Sequence, residues 1–159
     1  MSIFQFLASN EKLKEIDNPY KEVISINEAI RRNIEIDELM MEGILDKEEK
    51  CILICDSEEH LDEIEISDDM YYSSEYAKEY SNKRYFYELR FRYTAERANQ
   101  LIQYLKDQLN NVDEIEIWNI WLDEHETASL KSINITELST QDLEFLDSYD
   151  KPTCLAIKK

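Results

Sequence analysis

The stretch KRYFYELRFRYTAERANQLIQYLKDQLNNVDEIEIWNIWL, residues 83–122, decides the fold. In its first part Tyr85, Tyr87, Leu89, Phe91 and Tyr93 fall on one side of an extended chain. Arg84, Phe86, Glu88, Arg90 and Arg92 fall on the other, the period of two expected of a β-strand. The period then changes. Ala98, Leu101, Ile102, Leu105 and Leu109 recur at helical spacing and predict a helix over 95–110. Thr94 is placed to cap it, Glu96 suits the positive end of its dipole, and Asn110-Asn111 tolerates the left-handed turn that ends a helix. From Val112 the chain returns to strand with a phase shift. Ile115 and Ile117 share one parity, whereas Trp118, Ile120 and Leu122 share the other. Either a bulge intervenes or both faces are covered. A strand–helix–strand passage makes its two strands parallel if they are neighbours.

Working outward, Ser25 and Glu28 have the spacing of a capping box and predict a short helix over 26–33. A second helical piece follows, with Asp37 as cap and Gly43 near its end. CILIC, residues 51–55, reads as a buried strand. YYSSEYAKEYS, residues 71–81, is tyrosine-rich and polar, a loop or a loose helix. KSINITEL reads as a strand, 140–148 as a short helix capped by Ser139 or Thr140, and PTCLAIKK as a final strand opened by Pro152. No linker rich in Pro, Gly or Ser divides the chain. The expectation is one α+β domain over 1–159, a mixed sheet with the 95–110 helix packed on one face.

Charge is distributed unevenly. The chain has 36 acidic and 18 basic residues, a net charge of −18. Residues 56–82 carry a net −9 and residues 111–150 a net −10, while residues 83–110 between them carry +3. Such a balance disfavours nucleic acid and anionic membranes, and favours a basic protein partner. No run approaches the length of a membrane span. MSIFQFLAS at the start is apolar, lacks a basic leader and is short for an export signal. Three cysteines (Cys51, Cys55 and Cys154) form no disulfide framework, so a reducing, cytoplasmic setting is expected.

The sequence Asp-Glu-Ile-Glu-Ile occurs at 62–66 and again at 113–117, once in each acidic block. Its surroundings do not repeat, which argues against an internal duplication. A charge ladder explains it better. Glu63 and Glu65 would face Arg90 and Arg92, Glu114 and Glu116 would approach the same stripe from the other side, and Ile64, Ile66, Ile115 and Ile117 would lie under the helix.

Candidate sites are few. The only glycine is Gly43, so no phosphate-cradling loop exists. Cys51 and Cys55 are too widely spaced for a zinc knuckle. His60 and His125, each within an acidic segment, are the candidate metal ligands. Glu58, Glu59, Asp62, Asp68 and Asp69 are the candidate partner-binding carboxylates. Trp118 and Trp121 lie on opposite faces of a regular strand; one left exposed would suit an interface with a partner or a second subunit, and a second covering layer would bury it. Two functions are therefore expected. The first is a non-enzymatic acidic binding protein of inhibitor or immunity type, with no cofactor. The alternative is a small metal-assisted enzyme or ligand-binding domain using Asp/Glu with His60 or His125. A homodimer is compatible with both.

Overall fold

The computed structural model describes residues 3–43, 46–70, 73–122 and 127–159. The chain divides into two compact units, Met1–Asp17 together with Asp62–Lys159, and the intervening Asn18–Leu61. The fold class is α+β.

The larger unit is built on a six-stranded mixed sheet. In chain order its strands are β1 (Ile3–Ser9), β4 (Glu65–Ser67), β5 (Tyr85–Arg90), β6 (Glu114–Trp121), β7 (Ser129–Asn134) and β8 (Thr153–Lys158). They lie in the order β4-β5-β1-β6-β8-β7, with every pair antiparallel except β7 and β8. β1 therefore occupies the centre. IFQFLAS is buried on both sides, so its apolar run carried no alternation from which a strand could be read. β5 and β6 are parallel to each other, each being antiparallel to β1, but β1 separates them.

Helix α4 (Ala95–Gln108) covers one face. Thr94 Oγ1 accepts from Arg97 N at 3.1 Å, and Ala98, Leu101, Ile102, Leu105 and Leu109 are buried. They pack with Leu7, Ile64, Ile66, Tyr87, Leu89, Ile115, Ile117, Leu155 and Ile157. A 3-10 helix, Thr140–Asp147, adds Leu143 and Leu146; it starts at Ser139, whose N–H and hydroxyl both donate to the Asp142 carboxylate. The opposite face is covered in part by α3 (Ser73–Tyr80), where Met70 and Ala77 meet Phe4, Phe6, Ala8, Trp118 and Ile120. The phase shift in β6 is thus double coverage. Its pairing with β1 is continuous from Ile3↔Trp121 to Ser9↔Ile115. The outer side of β4 is closed by a two-hydrogen-bond bridge between Ile16 and Ile66.

The smaller unit is an antiparallel ribbon of β2 (Lys21–Ser25) and β3 (Lys50–Cys55) with two short helices, α1 (Ile26–Arg31) and α2 (Glu38–Gly43). Ser25 caps α1. At its other end Asn33 takes a φ of 56°, with Asn33 N donating to Ile30 O and Ile34 N to Ala29 O. Ile24, Ile26 and Ala29 are buried. CILIC forms β3, but it is not the buried strand expected: Leu53 is 53% exposed opposite Val23, 45% exposed. Among the described residues the two-stranded ribbon has no second layer on that face.

Candidate functional site

The two DEIEI copies take up different partners. In the first, Glu65 lies opposite Arg90 across β4 and β5, with their charged groups 3.9 Å apart. Glu63 engages α4 instead: Arg97 Nε and Nη2 both donate to its Oε1, at 3.2 and 3.1 Å. Arg92 turns to Asp62, at 3.5 Å. In the second, Glu114 and Glu116 do not reach the arginine stripe of β5, because β1 lies between. Glu114 pairs with Lys83 and, at 3.4 Å, with Lys158. Glu116 accepts from Ser81 Oγ at 2.6 Å and Trp118 Nε1 at 2.8 Å. The isoleucines behave as expected, all four lying in the core beneath α4.

Glu114, Glu116 and Trp118 share a face of β6 and close one end of a groove of about 450 Å³. Tyr80 and Trp118, rings 5.6 Å apart, form its wall; Cys154 and Ala156 of β8 and Leu130 of β7 continue it to the sheet edge. Acid–base chemistry is poorly served here. The Lys83 hydrogen bond holds the Glu114 carboxyl below the usual carboxylate range, so it stays ionised. Burial, with the nearby Glu116 and Glu114 charges, pushes the Cys154 thiol up to about 12, so it stays protonated.

The expected partner-binding acids divide between the units. Glu58 and Glu59 are exposed in the smaller one. Asp62, Asp68 and Asp69 belong to the larger, where Asp69 joins Glu65 and Glu88 around the single guanidinium of Arg90 in a hollow of about 170 Å³. Trp118 and Trp121 are 3% and 7% exposed, so of the two alternatives the structure shows burial, for both. Trp118 stacks on Phe6 with centroids 5.7 Å apart.

His60 lies in the smaller unit, its Nδ1 2.6 Å from Asp56 Oδ1 and its ring stacked on Tyr20 at 3.9 Å. His125 lies outside the described residues. Among the described residues no group of three or more His, Cys, Asp or Glu is placed to hold a metal ion. No described helix is long and apolar enough to cross a membrane.

What sequence reasoning missed is the apolar surface of the smaller unit. Nine large hydrophobic side chains are exposed among the described residues, and six of them fall within 18–61: Tyr20, Val23, Ile30, Leu39, Leu53 and Leu61. The same 44 residues hold 12 acids and 5 bases. The signal lay in β3, whose unbroken apolar run implied a cover that a lone hairpin partner does not supply. Comparison with protein-family models, with curated proteins and with solved structures found no match.

Proposed function

We propose that the protein is a non-enzymatic binding protein that takes a basic protein partner through the acidic, apolar surface of residues 18–61, as an inhibitor or immunity-type protein would. One observation carries this reading: most of the exposed large hydrophobics sit in the unit where acids outnumber bases by 12 to 5. Interfaces place apolar anchors at their centre and polar groups at the rim, and complementary charge speeds the encounter. The Val23–Leu53 pair would supply the anchor. Exposed carboxylates of the same unit, Glu58 and Glu59 among them, would steer basic residues towards it.

The test is capture from the native cell by the full chain, wild type against Leu53→Arg, at low and high salt. The expected catch is a basic protein that binds more slowly as salt rises and is lost with Leu53→Arg. Capture indifferent both to salt and to Leu53→Arg would overturn the reading. Among the described residues the metal-assisted reading rests on the His60–Asp56 pair. A panel of Mg²⁺, Mn²⁺, Ca²⁺ and Zn²⁺ tests it, because a specific ion must raise the melting temperature.

A further inference from the structure

The far edge of the main sheet offers a second docking surface, of a different kind. β7 pairs with β8 on one side, and among the described residues no strand lies on its other side. Ser129 N donates to Pro152 O and Ile135 N to Lys158 O, so the odd-numbered residues of β7 face β8 with their backbone groups. By the alternation of a strand, the N–H and C=O of Leu130 and Ser132 point outward. Leu130, level with Cys154, is 71% exposed beside the groove, and Ser132 is exposed. The edge has neither of the usual protections found at β4, a closing bridge or a three-residue length.

The edge is locally basic. Segments 127–135 and 151–159 contain four lysines (Lys131, Lys151, Lys158 and Lys159) and no Asp or Glu, in a chain with twice as many acids as bases. The carboxylates at the groove end are already engaged, Glu114 by Lys83 and Lys158, Glu116 by Ser81 and Trp118. Lys131 is exposed and borders both the groove and a hollow of about 450 Å³ on the helix-covered face. Glu144, Asp150 and Lys151 line the same hollow.

We propose that β7 accepts an extended segment of a partner protein, added to the sheet as a seventh strand and alternating apolar with acidic residues. Its backbone would bond the outward groups of Leu130 and Ser132. Its apolar side chains would enter the groove against Leu130, Ala156 and the Tyr80–Trp118 wall. Its acidic ones, on the other face of the strand, would meet Lys131. This is independent of the basic partner assigned to residues 18–61, which lie in the other unit.

The probe is a blocked peptide of alternating valine and glutamate, about six residues long, titrated into the full-length protein; the control alternates valine with lysine. Binding is followed by backbone NMR and by amide exchange at Leu130. Only the acidic peptide is expected to shift the resonances of residues 129–134 and to slow exchange at Leu130. Ser132→Pro removes an outward N–H and leaves the β8 ladder intact, so it should weaken binding at least about tenfold. Leu130→Asp, at a side chain exposed to solvent, should do the same and serves if the proline variant does not fold. Equal binding of both peptides, or binding unchanged in both variants, overturns the proposal. So does a wild-type protein whose mass in sedimentation doubles with concentration while Ser132→Pro stays monomeric, since the edge is then taken by a second copy.

Discussion

Replacing Glu63 should destabilise the larger unit more than the loss of a surface carboxylate would. Arg97 stands in the first turn of α4, where the helix dipole disfavours a cation, and its side chain is 7% exposed. The Glu63 carboxylate, 20% exposed, receives two of its N–H groups. Breaking a fully buried pair by removing one partner costs roughly 3–5 kcal/mol. Water reaches part of Glu63, so Glu63→Ala should lie at the lower end, about 3 kcal/mol, or about 6–12 °C in melting temperature. Glu63→Gln keeps an acceptor and loses the charge, and should cost about half as much. The decisive variant is Glu63→Ala with Arg97→Met, which removes the buried guanidinium together with the carboxylate it donates to, and should be more stable than Glu63→Ala alone. Urea unfolding followed by tryptophan fluorescence reads this unit directly, because Trp118 and Trp121 are both in it and buried. A Glu63→Ala protein within about 0.5 kcal/mol of wild type, or a double variant weaker than the single one, would refute the reasoning.

Three further outcomes follow from the geometry. Asn119 Nδ2 donates to the carbonyls of Phe145 and Ser148 at 2.7 and 3.0 Å, so Asn119→Ala should cost about 2 kcal/mol in urea unfolding through loss of both bonds. Glu114 has its folded pKa below its unfolded one; the stability it contributes is complete above the ordinary carboxylate range and is lost as pH falls through the lowered value. Lys83→Met should therefore flatten the acid side of a stability–pH profile. With its thiol pushed up to about 12 and buried, Cys154 should react with a disulfide reagent at pH about 8 only after unfolding, whereas half-buried Cys51 and Cys55 react in the native protein.

Residues 84–109 were legible in the sequence because each element keeps one wet face and so shows its period. The Thr94 cap and the apolar stripe of α4 stand where their spacing put them, and the strand read through Tyr93 forms over 85–90, ending before Phe91. β1 escaped notice because burial on both sides erases alternation, and because an apolar run at the start of a chain resembles a leader. CILIC misled in the opposite sense. A continuous apolar run states what a strand is made of, but the topology decides whether anything covers it. The groove was illegible for a different reason: Ser81, Glu116, Leu130 and Cys154 come from distant parts of the chain and meet only once β6, β8 and β7 are ordered in the sheet.

The doubled DEIEI now bears on function by elimination. Its isoleucines lie under α4, and its glutamates each have partners inside the larger unit: Arg97 for Glu63, Arg90 for Glu65, Lys83 and Lys158 for Glu114, Ser81 and Trp118 for Glu116. Carboxylates already engaged in this way give little to a docking partner, since a new cation must displace the old one. An acidic interface therefore has to draw on other residues. On the proposed reading those are acids of 18–61, where Glu22 and Glu28 are held by Arg31 and Arg32 but acids still outnumber bases by 12 to 5 and Val23 and Leu53 are exposed. On the proposed reading Leu53→Arg and Glu63→Ala have separate effects: the first should abolish partner binding with the fold intact, and the second should weaken the fold while binding by the folded fraction persists.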